Sequence, residues 1–438
     1  MEHVSNASRG SWSEYQREIY GRLSRPEFST NVVKWESDAK LRVPLINFNY
    51  VYGSANQRRT YDANIAAFSK YKLIPRMLRG ATKRDLSVEL FGKKYPSPIL
   101  IAPVGVQSLM HKDAELATAR AAAKLNIPFI LSTASSTNLE SVAEAHKHAS
   151  RTEPDNSGLT SPDRWYQLYW PEDDTLTVSL LRRAEAAGFS TLVVTLDTFV
   201  MGFRPDDLDE AFLPFVWGEG CAIGFSDPVF MDRYSKQLAS AQQPGIFESL
   251  LLLLRRCNGS IFLFFALLRW HKQIFKSLAW LSEVFNGTHK SWEDLKFLRE
   301  HWKGPIVLKG IQSVEDAQMA NKYGMDGIVV SNHGGRQVDG AIGSLDALVN
   351  ITTDPVIQSS NLTILFDSGI RTGADILKAL ALGASAVLIG RPFMYGLALG
   401  GERGVDHVLR VLLADADITM GNIGCKSIAE LDRNVLQE

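Results

Sequence analysis

The stretch Gly327-Ile328-Val329-Val330-Ser331-Asn332-His333-Gly334-Gly335-Arg336-Gln337 passes abruptly from apolar to polar residues. Its first four residues read as a β-strand buried on both faces. Just past the strand end stands a histidine, the side chain whose proton moves most readily near neutral pH. Three residues on is an arginine, whose planar fork matches a carboxylate bidentately. The two glycines between them leave the backbone open to close approach by a flat ligand. The pattern points to a base and an anion clamp acting on one small carboxylic acid. A His-x-x-Arg in isolation is an ordinary loop, and the rest of the chain gives this one its weight.

Outward from that stretch, short apolar runs recur at 98–104, 128–133, 165–170, 191–197, 305–311, 327–333, 362–369 and 386–391. Each is too short for a helix and rich in Ile, Val, Leu or aromatic residues, as strands buried on both faces should be. Helix-period stretches lie between them, among them 114–126, 175–188, 314–323 and 372–383, and glycine C-caps stand at Gly188, Gly324 and Gly383. Eight such units place the chain in the α/β class and imply a closed (β/α)8 TIM barrel. A doubly wound open sheet is the alternative if the count errs by one or two strands. On the barrel reading, 1–97 is an N-terminal helical segment packing on the barrel, 98–430 the barrel itself with a long insertion after strand 4 at about 205–290, and 431–438 a tail.

A barrel of this kind collects its chemistry at the C-terminal ends of its strands. The polar residues do gather there: Ser132 and Thr133, Gln167 and Tyr169, Thr195 and Asp197, Lys309, Ser331 and His333, Asp367 with Arg371, and Arg391. Strands 7 and 8 each close on a glycine near an arginine, and a helix begins at about Thr372, the setting in which such barrels hold a phosphate. Lys309 ends a strand inside an apolar mouth, and a buried lysine requires a partner or a task. Stabilising negative charge on a reduced flavin is one such task and forming a Schiff base is another. No Gly-x-Gly-x-x-Gly follows a strand, which argues against a nicotinamide module.

Composition sets the bounds. Lys and Arg total 47 against 48 Asp and Glu, and no basic run stands out, so nucleic acid is not an expected partner. The three cysteines, Cys221, Cys257 and Cys425, are scattered without C-x-x-C spacing, which fits a reducing compartment and argues against a disulfide scaffold or a metal site. The polar start of the chain contains no apolar signal core and its end is not a peroxisomal address, so a cytoplasmic location is expected.

With these residues assembled, the chain resembles the FMN-dependent α-hydroxy acid oxidase and dehydrogenase family, over about residues 48–430. The resemblance implies FMN as cofactor, a small 2-hydroxy acid and O2 as reactants, and a homotetramer. Carried over position by position, it implies that His333 is the base and Asp197 its partner. Arg204 and Arg336 bind the substrate carboxylate, Tyr50 and Tyr169 contact the substrate, and Lys309 steadies the reduced cofactor. It further implies FMN contacts at Pro103, Val104, Gly105, Ser132, Gln167, Thr195, Lys309 and Ser331. Phosphate contacts are implied at Asp367, Ser368, Gly369, Ile370, Arg371, Gly390 and Arg391. Within the family, Gly202-Phe203-Arg204-Pro205-Asp206-Asp207-Leu208-Asp209, Leu213-Pro214-Phe215 and Asp227-Pro228-Val229-Phe230 resemble the lactate 2-monooxygenase branch, as does Gly105. One methyl fewer at Gly105 is expected to leave room for dioxygen or a peroxide beside the flavin. That branch implies conversion of L-lactate to acetate, carbon dioxide and water. The sister outcomes are release of a 2-keto acid with hydrogen peroxide, or electron transfer to another acceptor.

Two departures from the family stand out. No haem-binding domain precedes the barrel, which argues against the flavocytochrome members. The connection between strands 4 and 5, about 199–304, far exceeds the usual two to six or so residues. It contains Leu250-Leu251-Leu252-Leu253-Leu254 and Ile261-Phe262-Leu263-Phe264-Phe265-Ala266-Leu267-Leu268, neither reaching the roughly 20 residues that cross a bilayer. Three readings stand for it: a lid or oligomer-contact helix pair, a membrane-surface patch over 247–285, or a retained intron in the gene model.

Overall fold

The computed structural model describes residues 11–23, 25–150, 162–240 and 261–438. Eight parallel strands form the centre: β1 (Ile99–Ile101), β2 (Phe129–Ser132), β3 (Arg164–Leu168), β4 (Thr191–Thr195), β5 (Ile306–Ile311), β6 (Gly327–Val330), β7 (Thr363–Phe366) and β8 (Ala386–Ile389). Each pairs with the next, and β8 pairs back onto β1 through Val387 and Ile99, so the sheet closes. That closure excludes the open-sheet alternative. Most strands are shorter than the apolar runs that announce them: Ser132, Thr195 and Lys309 still lie within β2, β4 and β5, whereas Asp197, Ser331, His333 and Asp367 already belong to the loops.

Period-two alternation divides the strand residues between two layers. Leu100, Ile130, Trp165, Val193, Val307, Val329, Leu365 and Leu388 fill the barrel interior. Their neighbours, such as Ile101, Leu131, Val194 and Leu308, face the surrounding helices. The bottom of the barrel is plugged by a hairpin that the sequence did not announce, Val88–Leu90 with Lys93–Tyr95. Leu90 and Tyr95 join the interior cluster, and the Tyr95 hydroxyl donates to Asp163 at 2.7 Å.

Four helices precede the barrel: α1 (Glu14–Arg22), α2 (Val32–Arg42), α3 (Leu45–Tyr52) and α4 (Arg59–Lys70). The last two matter for the site. α3 brings Tyr50 and its own C-terminal carbonyls to the barrel mouth, and α4 packs beneath the loop that follows β6. After β8, the helical segment Arg391–Asn422, broken by a kink at Gly400 and Gly401, receives α1 and α2, and beyond it Leu436–Gln437 pairs antiparallel with Lys72–Leu73.

The connection after β4 includes the helix Pro228–Ser240 and the helix Ile261–Val284. The leucine run 250–254 and Cys257 lie outside the described residues. Over 274–284 the second helix is amphipathic: Ile274, Ser277, Trp280 and Val284 are buried, while Phe275 and Leu278 are exposed. Trp280 stands edge-on to Phe230 with ring centroids 5.2 Å apart. Among the described residues, no helix is long and apolar enough to cross a membrane.

Candidate active site

The polar residue at the end of β6 starts a turn that sets the geometry of the site. His333, Gly334 and Gly335 all have positive φ (58°, 65° and 75°), a conformation that costs little for glycine and is uncommon for histidine. Neighbours hold it. The His333 N–H donates to Ser331 Oγ at 3.1 Å, and the Gly335 N–H to Asn332 Oδ1 at 3.1 Å. Asn332 and Asn64 of α4 exchange two amide hydrogen bonds at 2.7 and 2.8 Å. The glycines admit neighbouring protein groups where a side chain would stand. A Cβ at Gly334 would lie 2.7 Å from Arg391 Nη1, and one at Gly335 would lie 2.6 Å from the Tyr61 backbone. Of the two, Gly334 lines the cleft, where a flat ligand is expected, and Gly335 does not.

His333 Nδ1 lies 2.8 Å from Asp197 Oδ1 at the end of β4. Thr198 joins the pair, its hydroxyl donating to the same carboxylate oxygen at 3.1 Å and lying 3.2 Å from His333 Nδ1. Burial lowers the pKa of His333, against the pull of Asp197, so the imidazole is neutral at pH 7. Burial pushes the Asp197 carboxyl up, but His333 and Lys309 outweigh it and hold it below the ordinary range. A neutral imidazole backed by a carboxylate is a proton acceptor with its Nδ1–H fixed, leaving Nε2 to act.

Lys309 is buried, donates to Ser331 Oγ at 2.9 Å and pairs with Asp367 Oδ2 at 3.3 Å. Burial opposes its charge, yet Asp367 and Asp197 prevail and keep its pKa above the ordinary lysine value. An ammonium held between Ser331 and Asp367 favours the charge-stabilising task over Schiff-base formation, which needs the free amine.

Arg204 and Arg336 enter from different segments. Arg204 Nε donates to the Arg336 carbonyl at 3.2 Å and its Nη2 to Gln337 Oε1 at 3.0 Å. Gln337 also donates to the carbonyls of Asp197 (2.9 Å) and Val200 (3.0 Å) and accepts from the Gly202 N–H, so it fastens the segment after β4 to the loop after β6. Burial and the neighbouring Arg336 lower Arg204 to about 10, a penalty that a bound carboxylate would relieve. Arg336 Nη1 donates to Gly53 O at 2.9 Å, and its guanidinium lies 5.4 Å from the ring centre of Tyr50. Burial raises the pKa values of Tyr50 and Tyr169, so both phenols remain neutral donors.

These groups share one cleft of about 1010 Å³, its open mouth included. Tyr50, Tyr169, Arg204, His333 and Arg336 line one end. Pro103, Val104, Gly105, Lys309, Asp367, Ser368, Gly369, Ile370, Arg371, Gly390 and Arg391 line the remainder. Ser132, Gln167, Thr195, Asp197 and Ser331 stand behind this lining at the strand ends. Arg391 departs from a simple cradle, since its guanidinium donates to the carbonyls of Val51, Tyr52, Gly53 and Gly334 and so caps α3. Burial and Arg336 lower it to about 9, and it has no ion-pair partner among the described residues. At Gly105 the expectation of spare room is corrected: an added Cβ would meet Ala134 Cβ at 2.7 Å and Ser132 Oγ at 2.9 Å. Glycine is required there by protein packing.

The cleft suits a mononucleotide. Gln167 Nε2 is buried without a partner beneath it, and Lys309, Arg371 and Arg391 add positive charge to the lining that also holds Arg204 and Arg336. Arg336 and Arg391 donate to the same Gly53 carbonyl at 2.9 Å each, so the cationic groups form one neighbouring set beside the proton acceptor, a setting that suits an oxidoreductase holding a phosphorylated cofactor against a small acid. Comparison with known proteins agrees. Residues 39–438 match the FMN-dependent dehydrogenase family. An FMN-dependent alpha-hydroxy acid dehydrogenase of Penicillium citrinum is 42% identical over 430 residues, 97% of this chain and 96% of that one. An L-lactate oxidase of Lysinibacillus sphaericus is 38% identical, covering 89% and 88% of the two chains. The crystal structure of a mandelate oxidase superposes with a TM-score of 0.71 at 32% identity, covering 94% of this chain and 98% of that one. The chain belongs to the FMN-dependent dehydrogenase family, and it is an FMN-dependent 2-hydroxy acid oxidoreductase.

Sequence reading assigned no role to Thr198 and Gln337. Their only signals are position, Thr198 directly after Asp197 and Gln337 directly after Arg336.

Proposed function

We propose that the protein oxidises L-lactate and that dioxygen is its second substrate, yielding acetate, carbon dioxide and water. The observation that carries the chemistry is the buried His333–Asp197 pair, 2.8 Å apart, at the same end of the cleft as Arg204 and Arg336. FMN, when bound, supplies the two-electron acceptor that dioxygen regenerates. Pro103, Val104, Gly105, Ser132, Gln167, Thr195 and Ser331 would hold it, with its phosphate at Asp367, Ser368, Gly369, Ile370, Arg371, Gly390 and Arg391. Arg204 and Arg336 hold the carboxylate from two directions and so fix the α-carbon, a restraint on orientation that lowers the barrier by prepaid entropy. His333 Nε2 takes the hydroxyl proton, while Asp197, with Thr198 on the same oxygen, holds Nδ1–H and stabilises the imidazolium. Tyr50 and Tyr169 donate to the substrate oxygens, and the Lys309 ammonium offsets negative charge gathering in the cleft. Pyruvate retained beside hydrogen peroxide is decarboxylated to acetate, carbon dioxide and water, a balanced step.

A second reading has pyruvate and peroxide leave separately. It is favoured by relatives named L-lactate oxidase at 38% and 36% identity, and by the loss of Gly105 as an argument for a peroxide pocket. One experiment tests both readings: anaerobic bleaching of the yellow holoprotein by L-lactate, then product analysis in air. Bleaching followed by acetate supports the proposal, and bleaching followed by pyruvate and peroxide supports the second reading. A flavin that lactate does not bleach rejects lactate as the substrate.

A further inference from the structure

With a carboxylate on Arg204 and Arg336 and a hydroxyl at His333, one side of the cleft is left for the substituent on C2. That side is apolar, formed by Ala134, Met201, Phe215 and Phe285. Phe285 lies between Tyr169 and Phe215, with ring centroids at 5.0 and 5.7 Å. The ring is held from two directions. The Phe285 N–H closes the helix Ile261–Val284 by donating to Leu281 O at 2.8 Å, and Trp280 one turn earlier is buried against Phe230. Glu283 pairs with Arg233 at 3.0 Å, and its carbonyl accepts from the Glu172 N–H at 3.2 Å, tying the helix end to the loop after β3.

We propose that Phe285 is a specificity-determining residue: the long connection after β4 exists to set this ring as the back wall of the C2-substituent pocket, which admits a methyl or ethyl group. This rests on the 2-hydroxy acid reading of the site and adds which side chains that acid carries. The three rings already touch, so a longer substituent must displace one of them, whereas a shorter one leaves the cluster intact. A charged substituent would be desolvated against Met201, Phe215 and Phe285 with no partner among them.

The test uses FMN-loaded wild type, Phe285→Ala and the milder Phe285→Leu, with L-lactate, L-2-hydroxybutyrate, L-2-hydroxyhexanoate and L-malate. Dissociation constants of pyruvate and 2-oxohexanoate, read from perturbation of the bound flavin's absorbance, give a readout independent of turnover. In wild type, kcat/KM should fall at least about tenfold from lactate to hydroxyhexanoate. Phe285→Ala should raise the hydroxyhexanoate-to-lactate ratio by about tenfold or more, with Phe285→Leu intermediate and the keto-acid affinities following the same order. A ratio unchanged within about twofold in both FMN-bound variants overturns the role of Phe285. Malate turned over as well as lactate overturns the exclusion of charge. Wild-type flavin that no hydroxy acid bleaches overturns the underlying reading of the site as well.

Discussion

The loop after β6 and the connection after β4 meet at the same end of the cleft, yet they are held in place by different forces. Residues 331–337 are fixed by directional hydrogen bonds: Asn332 with Asn64, the His333 N–H on Ser331, and Gln337 on Asp197 and Val200. The Phe285 wall of the connection is set mainly by ring packing, Trp280 on Phe230 and Phe285 on Tyr169 and Phe215, with the Glu283–Arg233 ion pair behind it. The division follows the task. A proton acceptor must be aimed, and hydrogen bonds fall off steeply with angle. A wall against a side chain must exclude volume, which close packing does without fixing an angle.

The strongest way to break the contrast is to remove the aimed group. His333→Ala is expected to retain FMN and to slow its reduction by the hydroxy acid by about 1,000-fold or more, measured by anaerobic stopped flow. Near-normal reduction would remove His333 from the chemistry. On the packed side, Trp280→Ala should cost about 3–5 kcal/mol of stability in denaturant unfolding of the holoprotein, yet change the limiting bleaching rate by less than about threefold. A bleaching loss as deep as that of the histidine variant would erase the distinction.

Gln337 bridges the two regions, so its removal sharpens the comparison. Gln337→Ala should raise KM about tenfold by freeing Arg204, with kcat nearly unchanged. A fall in kcat alone would group Gln337 with the base instead. The smallest expected effect is in the pH profile of kcat/KM, which reports the free enzyme. His333 works only when neutral, and burial lowers its pKa below 6.5, so on acidification activity should persist past that value before falling. An acid limb centred above 6.5 would mean that Asp197 outweighs burial.

How much was legible in the sequence follows the same physical division. Each barrel strand announced itself locally, as an apolar run ending on a polar residue such as Lys309, His333 or Asp367, because a doubly buried strand must be apolar and its C-terminal end faces the cleft. The plugging hairpin was not legible: its strands have three residues each and one contains Lys93-Lys94, so its stability comes from burying Leu90 and Tyr95 under the barrel. The residues expected to line the cleft from strands 7 and 8 do so, but the carbonyls that occupy Arg391 come from Gly334 and from the end of α3, some 340 positions earlier in the chain. The packing that forces glycine at 105 comes from Ser132 at the end of β2 and Ala134 in the loop after it. Thr198 lies 135 positions from His333, and neither its type nor its neighbours signal that distant contact. Local pattern carries elements and strand ends, while cross-chain packing decides what each glycine and arginine is for.

The short ladder between Lys72–Leu73 and Leu436–Gln437 has a consequence for the order of events during synthesis. Its two halves are 437 − 72 = 365 positions apart, so a growing chain emerges with the first half long before the second exists. At about 5–20 residues per second, the N-terminal segment waits on the order of tens of seconds with that edge unpaired. Closing so long a loop early would carry a large entropy cost, whereas after the barrel has formed the two halves are already neighbours and little cost remains. The ladder is therefore expected to form late, as a clasp added once the barrel has folded.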